Sequence, residues 1–320
     1  MSTAYETTTE ADPHAHLFWG LDRRGQPSPP HRPTISISAA PYDGHAVPVM
    51  LDSLAKCGAT HVEPAYIVNY TEPFDESAFS EQHAAEWRRW LSESGIACEA
   101  FSAHVDLGVP ENAHAFLKRM DFARSLGARI INTNAAIRAN AVGFQRNLPA
   151  LLKHAEAIGL VIGFENPGDG RDSLINTAED GIELIRRIDS PWARLNYDAG
   201  NTVSHRPTVD AVADGLLAMP VCGHTHIKDV RASSAGWEFV PPGSGDIHCA
   251  TLIAAVVRET NIDLSIELPL RMRRGPEAQP IRAPTPVALT TIEGSLRCSL
   301  AAVNQAIAMA LALPSQNVPV

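Results

Sequence analysis

The chain has 320 residues, 45% hydrophobic and 19% charged, an ordinary globular mix. Its 26 Lys and Arg against 36 Asp and Glu give a formal net charge of −10, which argues against a nucleic-acid partner or an anionic membrane surface. Five cysteines without a CxxC pair, no basic or apolar leader in MSTAYETTTEADPHAH, and no run read as approaching the ~20 apolar residues of a membrane span together predict a cytoplasmic protein with free thiols.

Residues 1–33 carry Thr and Glu and then GQPSPPHRP, with no apolar period. They are predicted to lie outside the fold as a disordered or draped extension, with a subunit-contact arm as the alternative. From Thr34 strand-like and helix-like patterns alternate. TISISAA (34–40) reads as strand and AVPVMLDSLAKCG (46–58) as helix, then THVEPAY (60–66) and SAFSEQHAAEWRRWLSESG (77–95). IACEAFSAHVDL (96–107) precedes helix 112–127, ARIINTNA (128–135) precedes helix 141–159, and LVIGFEN (160–166) precedes helix 176–189. ARLNYDAGN (193–201) precedes helix 208–219, and VCGHTHIKDV (221–230) is followed by a polar segment, RASSAGWEFVPPGSGD, before helix 249–261. IDLSIELPL (262–270) is the eighth strand; MRRGPEAQPIRAPTPVA reads as a Pro/Arg-rich connection to a last helix, 290–314. Helices ending at Gly58, Gly95, Gly127 and Gly159 have the left-handed cap that turns a chain back into a strand. Eight βα units predict a single (β/α)8 barrel over 34–314, with 315–320 as a tail. No GxGxxG follows the first strand, so a dinucleotide fold has no support.

Barrel enzymes place their chemistry at the C-terminal ends of the strands. Here those ends hold Glu63, His104, Asn132 and Asn134, Glu165, Asp198, His224 and His226, and Glu267. Glu165 and Glu267 close apolar strands, where an unpaired carboxylate is costly. With Asp198 and a histidine of strand 7, either His224 or His226, they form a hard, oxygen-rich set that a divalent cation would neutralise. That set suits Mn²⁺ or Mg²⁺, then Co²⁺, with Zn²⁺ less favoured.

The series F-E-N, Y-D-A-G-N, H-I-K-D, G-S-G-D-I and I-E-L, in this order, resembles the xylose-isomerase-like barrel family over about 34–270 and the final helix. The family includes sugar isomerases and epimerases, dehydratases and the AP endonuclease branch. The resemblance implies Glu165, Asp198, His226 and Glu267 as metal ligands, His226 beginning the H-x-K-D segment. Asn201 stands where many members have a histidine, and WEFVPPGSG replaces the D-x-H pair of the endonuclease branch, which speaks against a three-metal DNA enzyme. Arg171 stands where the ketose 3-epimerase branch has a further glutamate, and Arg231 only approximates its arginine.

The expected reaction is isomerisation or epimerisation of a small polyhydroxylated substrate. It runs by proton abstraction beside a carbonyl through a metal-stabilised enediolate. A lyase outcome — dehydratase, decarboxylase or C-glycoside deglycosidase — is the alternative. Glu165 and Glu267 are the candidate acid and base, with His104 as an extra one. Glu63, Asn134, Asn166, Asn201, His224 and Lys228 are candidate substrate groups, Lys228 alternatively pairing with Asp229. Arg271, Arg273 and Arg274 either bind an anionic group or form a solvated loop face. The expected assembly is a homo-oligomer, with a second subunit type as the alternative.

Overall fold

The computed structural model describes residues 29–313. In chain order the main elements begin with β1 (Ile35–Ser38), α1 (Val47–Lys56), β2 (His61–Glu63), β3 (Ala65–Ile67), α2 (Glu81–Ser94) and β4 (Ala100–His104). They continue with α3 (Pro110–Ser125), β5 (Ile130–Asn134), α4 (Ala141–Ile158), β6 (Val161–Glu165), α5 (Ala178–Ile188), β7 (Ala193–Asp198), α6 (Ala199–His205) and α7 (Ala211–Ala218). Then come β8 (Cys222–Ile227), β9 (Asp229–Ser233), β10 (Gly236–Val240), α8 (Cys249–Glu259), β11 (Asp263–Ile266), β12 (Met272–Arg274), β13 (Pro280–Arg282) and α9 (Leu289–Ala312).

Nine strand segments run parallel in the order β2-β1-β11-β8-β7-β6-β5-β4-β3. β2 and β3 are halves of one stave, parted at Pro64, which has no N–H to give to a ladder. The circle closes where His61 bridges Ala97 and Ser102 donates to the Pro64 carbonyl, so the eight-stave barrel expected from the sequence forms.

The two strand faces do different work. Phe101, Ile131, Ile162 and Phe164 are fully buried in the main apolar cluster, and Phe164 meets Phe144 of α4 edge-on at 5.5 Å. Each such side chain contributes ~1.5–3 kcal/mol by leaving water, so the shell between staves and helices supplies most of the stability. The alternate residues line the barrel interior in layers. Ala100, Ile130 and Val161 form a small apolar floor; Ser102, Asn132, Asn196 and His224 form a buried polar layer above it. The strand ends form the third layer.

Two segments differ from their sequence reading. The polar stretch 231–246 and the Pro/Arg-rich stretch 272–288 contribute to a four-stranded antiparallel sheet, β13-β12-β10-β9, laid over the barrel mouth. The tight turn from β9 into β10 needs Gly236, whose φ is +110°; a Cβ there would stand 2.0 Å from the Arg274 carbonyl oxygen. The strand expected to reach Asn201 stops at Asp198, and α6 begins at once, its first turn capped by the Asp198 carboxylate accepting from the Asn201 N–H at 3.0 Å.

The expectation that no segment approaches a membrane span also needs correction. α9 is long and apolar enough to cross one, but it lays Ile292, Leu296, Ser299, Val303 and Ile307 as a buried stripe on the barrel. Of the predicted extension, residues 1–28 lie outside the described residues, as do 315–320 of the tail. Its last residues are tied down: His31 bonds to the carbonyls of Val257 and Ile262, and Arg32 to Asn304 of α9 at 2.6 Å.

Candidate metal centre and active site

Four strand ends converge. Glu165 ends β6, Asp198 ends β7, His226 lies near the end of β8, and Glu267 follows β11. All four are buried, and one ligand atom from each lies within 4.8 Å of the others. His226 Nδ1 stands 3.2 Å from Glu165 Oε2, 3.5 Å from Glu267 Oε2 and 3.7 Å from Asp198 Oδ2. These separations and this mix of carboxylate and imidazole donors are of the kind that could hold a divalent cation. Asp198 Oδ2, His226 Nδ1 and Glu267 Oε2 are fully buried, and among the described residues their close polar contacts are ion-pair contacts with one another, with Glu165 and with Lys228 rather than well-aligned hydrogen bonds. Three buried carboxylates and an imidazole gathered at one point have the chemistry that fits a cation.

Lys228 shares this centre. Its Nζ lies 2.6 Å from Asp198 Oδ2, contacts Glu267 Oε2, and donates to Asn201 Oδ1 at 3.1 Å. The expected alternative pairing with Asp229 does not form. Asp229 instead accepts from the backbone N–H groups of Val230, Gly243, Gly245 and Ile247 and so pins the loop after β10.

The charges follow from this packing. Burial disfavours ionised Glu267, but Lys228 and His226 outweigh it and hold its carboxyl well below the ordinary range. Burial likewise opposes Glu165, and His226 and His104 again win, so its pKa is lowered. For Asp198 burial prevails over Lys228 and raises the pKa. Burial pulls His226 toward neutrality, but Glu63, Glu165 and Glu267 push it well above the usual imidazole value. A proton on Nδ1 is what a metal ion would displace.

Beneath the centre, Glu63 accepts from His226 Nε2 at 3.2 Å, from Ser102 at 2.6 Å and from Asn132 at 2.9 Å. This leaves Nδ1 as the atom turned toward the carboxylates. Glu63 and His224 were expected at the substrate, but neither lines the cavity, and both lie beneath the cluster of Glu165, Asp198, His226 and Glu267. His224 is held by Asn132, Asn196 and Ser265, and its burial lowers its pKa to about 4, so it is neutral. Room for this layer comes from Gly163, where a Cβ would lie 2.3 Å from Asn132 Oδ1. Asn166 is displaced from the expected role too. Its amide donates to the Asp198 carbonyl at 2.9 Å and accepts from the Asp198 N–H at 2.8 Å, a side chain standing in for a ladder rung between β6 and β7.

The remaining candidates face a cavity of about 320 Å³ at the barrel mouth, lined by His104, Asn134, Glu165, Asn201, Lys228 and Glu267 among others. His104 Nε2 stands 3.4 Å from Glu165 Oε2. Asn201 donates to Glu165 Oε1 at 2.9 Å, and Asn196 donates to Oε2 at 2.6 Å. Asn196, which orients the Glu165 carboxylate, was missed in the sequence; its place two residues before Asp198 on the same strand face was the available signal. Arg231 lies on β9 and bonds to the Ser244 carbonyl, away from the cavity. Of the three arginines after Leu270, Arg271 is buried in an ion-pair cluster with Asp43 and Glu72, Arg273 is exposed, and Arg274 is buried against the cavity.

Residues 51–284 match the family model described as xylose isomerase-like TIM barrel. The chain belongs to this family. Its sequence has no significant match among curated proteins. Among solved structures, a xylose isomerase-like TIM barrel protein from Mycobacterium smegmatis in complex with magnesium is similar at 19% identity, covering 88% of this chain and 99% of that one, with a TM-score of 0.67. D-psicose 3-epimerase from Clostridium cellulolyticum H10, solved with D-tagatose, is 17% identical over 86% of this chain and 99% of that one (TM-score 0.65). The 3-keto-D-glucoside 4-epimerase of E. coli, in its apo form, is 17% identical over 86% and 100% (TM-score 0.61). At such identities the likeness is one of fold, and the site must be argued from its own residues.

Proposed function

We propose that this chain is a divalent-metal-dependent isomerase or epimerase that moves a proton beside the carbonyl of a small polyhydroxylated substrate. The observation that carries this reading is the convergence of three buried carboxylates and one imidazole beside a cavity at the barrel mouth, which Glu165 and Glu267 line. Glu165, Asp198, His226 and Glu267 would hold the ion, Mn²⁺ in first place and Mg²⁺ or Co²⁺ as alternatives. When bound, it supplies Lewis acidity toward adjacent carbonyl and hydroxyl oxygens.

The protein supplies the proton chemistry. Glu165 and Glu267 stand on β6 and just past β11, with β7 and β8 between them, so they reach a substrate from different sides. Both carboxyls are held ionised by their cationic neighbours, as a proton acceptor must be at neutral pH. His104 beside Glu165 can receive and return the proton. The Lys228 ammonium offsets negative charge growing on the substrate next to Glu267. Asn134 and Asn201 both donate and accept, as hydroxyl recognition requires. The likeness in fold to sugar epimerases supports the substrate class.

The deciding experiment is turnover in D₂O with Mn²⁺-loaded protein across a panel of ketoses, keto-glycosides and sugar acids. The expected product is an isomer carrying deuterium at the carbon beside the carbonyl, with activity lost on chelation and restored by Mn²⁺. Release of water, CO₂ or an aglycone would assign the lyase alternative. Unlabelled isomer formed by direct hydrogen transfer between carbons, or full activity without metal, would overturn the proposal.

A further inference from the structure

Four cationic side chains line the cavity, and three are matched by carboxylates. Lys228 lies between Asp198 and Glu267, Arg119 is held by Glu76, and Arg171 pairs with Asp169 at 2.6 Å. Arg274 is the exception. It is only 4% exposed, and among the described residues no carboxylate pairs with it. Nη1 donates to the Ala278 carbonyl at 3.2 Å, Nε is buried without a partner, and the guanidinium lies over the Tyr70 ring, 5.0 Å from its centroid. A buried guanidinium without a counter-charge is costly unless an anion arrives to meet it.

The surroundings keep this place open. Asp106, another acid of the cavity wall, is consumed by the N–H groups of Gly108 and Ile137 and by Asn140. Asp169 is held by Arg171. At Gly168 a Cβ would stand 2.7 Å from Arg274 Nη2 and 2.6 Å from Asn201 Oδ1, so any larger residue would push into both side chains. The same closeness places Arg274 beside Asn201, which bonds to Glu165 and Lys228. A ligand spanning a few carbon atoms could therefore touch the metal centre at one end and Arg274 at the other.

We infer that Arg274 is the anion-recognising group of the site and that the substrate is an acidic sugar derivative, ending in a carboxylate or a phosphate. This rests on the reading of the cavity as a sugar site and names the substrate class within it. Both anions offer paired oxygens to the guanidinium fork, so the shared chemistry is a bidentate, charge-assisted contact. It also gives a task to the antiparallel sheet, since β12 delivers Arg274 to the barrel mouth.

The test measures binding of D-glucose, D-glucuronate and D-glucose 6-phosphate to the full-length Mn²⁺-loaded protein by calorimetry, for wild type, R274Q and R274K. Wild type should bind at least one acidic sugar ten-fold or more tighter than glucose, and which one answers carboxylate or phosphate. R274Q should abolish that preference while leaving Mn²⁺ affinity unchanged; R274K, which keeps the charge but not the fork, should retain part of it and covers the case in which the amide variant fails to fold. A wild type with no preference for either acid, or an R274Q protein that keeps it, overturns the inference. Repeating the series without metal separates the two readings: an acid preference that persists when Mn²⁺ neither binds nor supports turnover would sink the metal-centre proposal and leave Arg274 standing.

Discussion

All four members of the donor cluster stand at the ends of barrel staves, whereas Arg274, Met272 and Phe239 reach the same cavity from the antiparallel sheet over the mouth. The two regions are built on different physics. A stave is locked by two neighbours along its length, and its inward positions are set by the pleat, so donors on four adjacent staves are held with little freedom. The covering sheet is a set of short hairpins whose geometry depends on turns such as the one at Gly236. Rigid positions suit metal ligation and proton transfer; short hairpins suit recognition, which can change without disturbing the barrel.

The strongest way to break this division is at the barrel. Glu267→Gln removes a ligand charge and a proton acceptor together. We expect metal affinity to fall and turnover to drop on the order of 10³-fold, read by Mn²⁺ titration and steady-state rates. A variant with ordinary kinetics would remove Glu267 from the chemistry. The next effect lies one layer down. Glu63→Gln leaves the cavity untouched but weakens the hold on His226 Nε2, so Mn²⁺ affinity should fall roughly 10–100-fold with the fold intact by circular dichroism.

A cut at the covering sheet should behave differently. Gly236→Ala combines a left-handed φ with a contact against backbone, costing ~2 kcal/mol or more locally. Selectivity among substrates should suffer while Mn²⁺ binding stays near wild type; loss of both together would show that barrel and cover are one unit. The smallest expected effect concerns His205 in α6. Its Nδ1 accepts from the Gly170 N–H and its other nitrogen bonds to Asn176, an arrangement that needs the neutral ring. Burial lowers its pKa to about 4. Since the folded value is depressed, the unfolded chain binds the extra proton first, and stability is lost as pH falls from about 6.5 toward 4. Thermal melts over that window should show a steeper decline in wild type than in His205→Gln.

How far the sequence could be read follows the same division. The staves were legible because the strand–helix alternation repeats eight times, with a Gly closing four of the helices, and because a carboxylate ending an apolar strand is conspicuous. Glu165, Asp198 and Glu267 could be picked out that way; choosing His226 over His224 needed the family resemblance, since both lie on one strand face. Which polar interior residue belongs to which layer could not be read. Glu63 and His224 carry the same chemistry as the four clustered residues, and only the stagger of the staves puts them beneath rather than beside the cavity.

The sequence by itself determined the local choices: where strands alternate with helices, where Gly turns the chain, and which acids end which strands. These depend on neighbours within a few residues, and periodicity records them. Tertiary structure decided what depends on distant partners. RASSAGWEFV and MRRGPEAQPIR carry little periodic signal, and they become strands only by pairing with each other, Trp237 opposite Arg274 and Glu238 opposite Arg273. Lys228 chose Asp198 and Glu267 over the adjacent Asp229 because it follows β8 on the same side as His224 and His226, while Asp229 meets the backbone of a returning loop. Arg274, one of three arginines within four residues, was singled out by the register of β12, which turns it toward a cavity where, among the described residues, every acid is held by another partner.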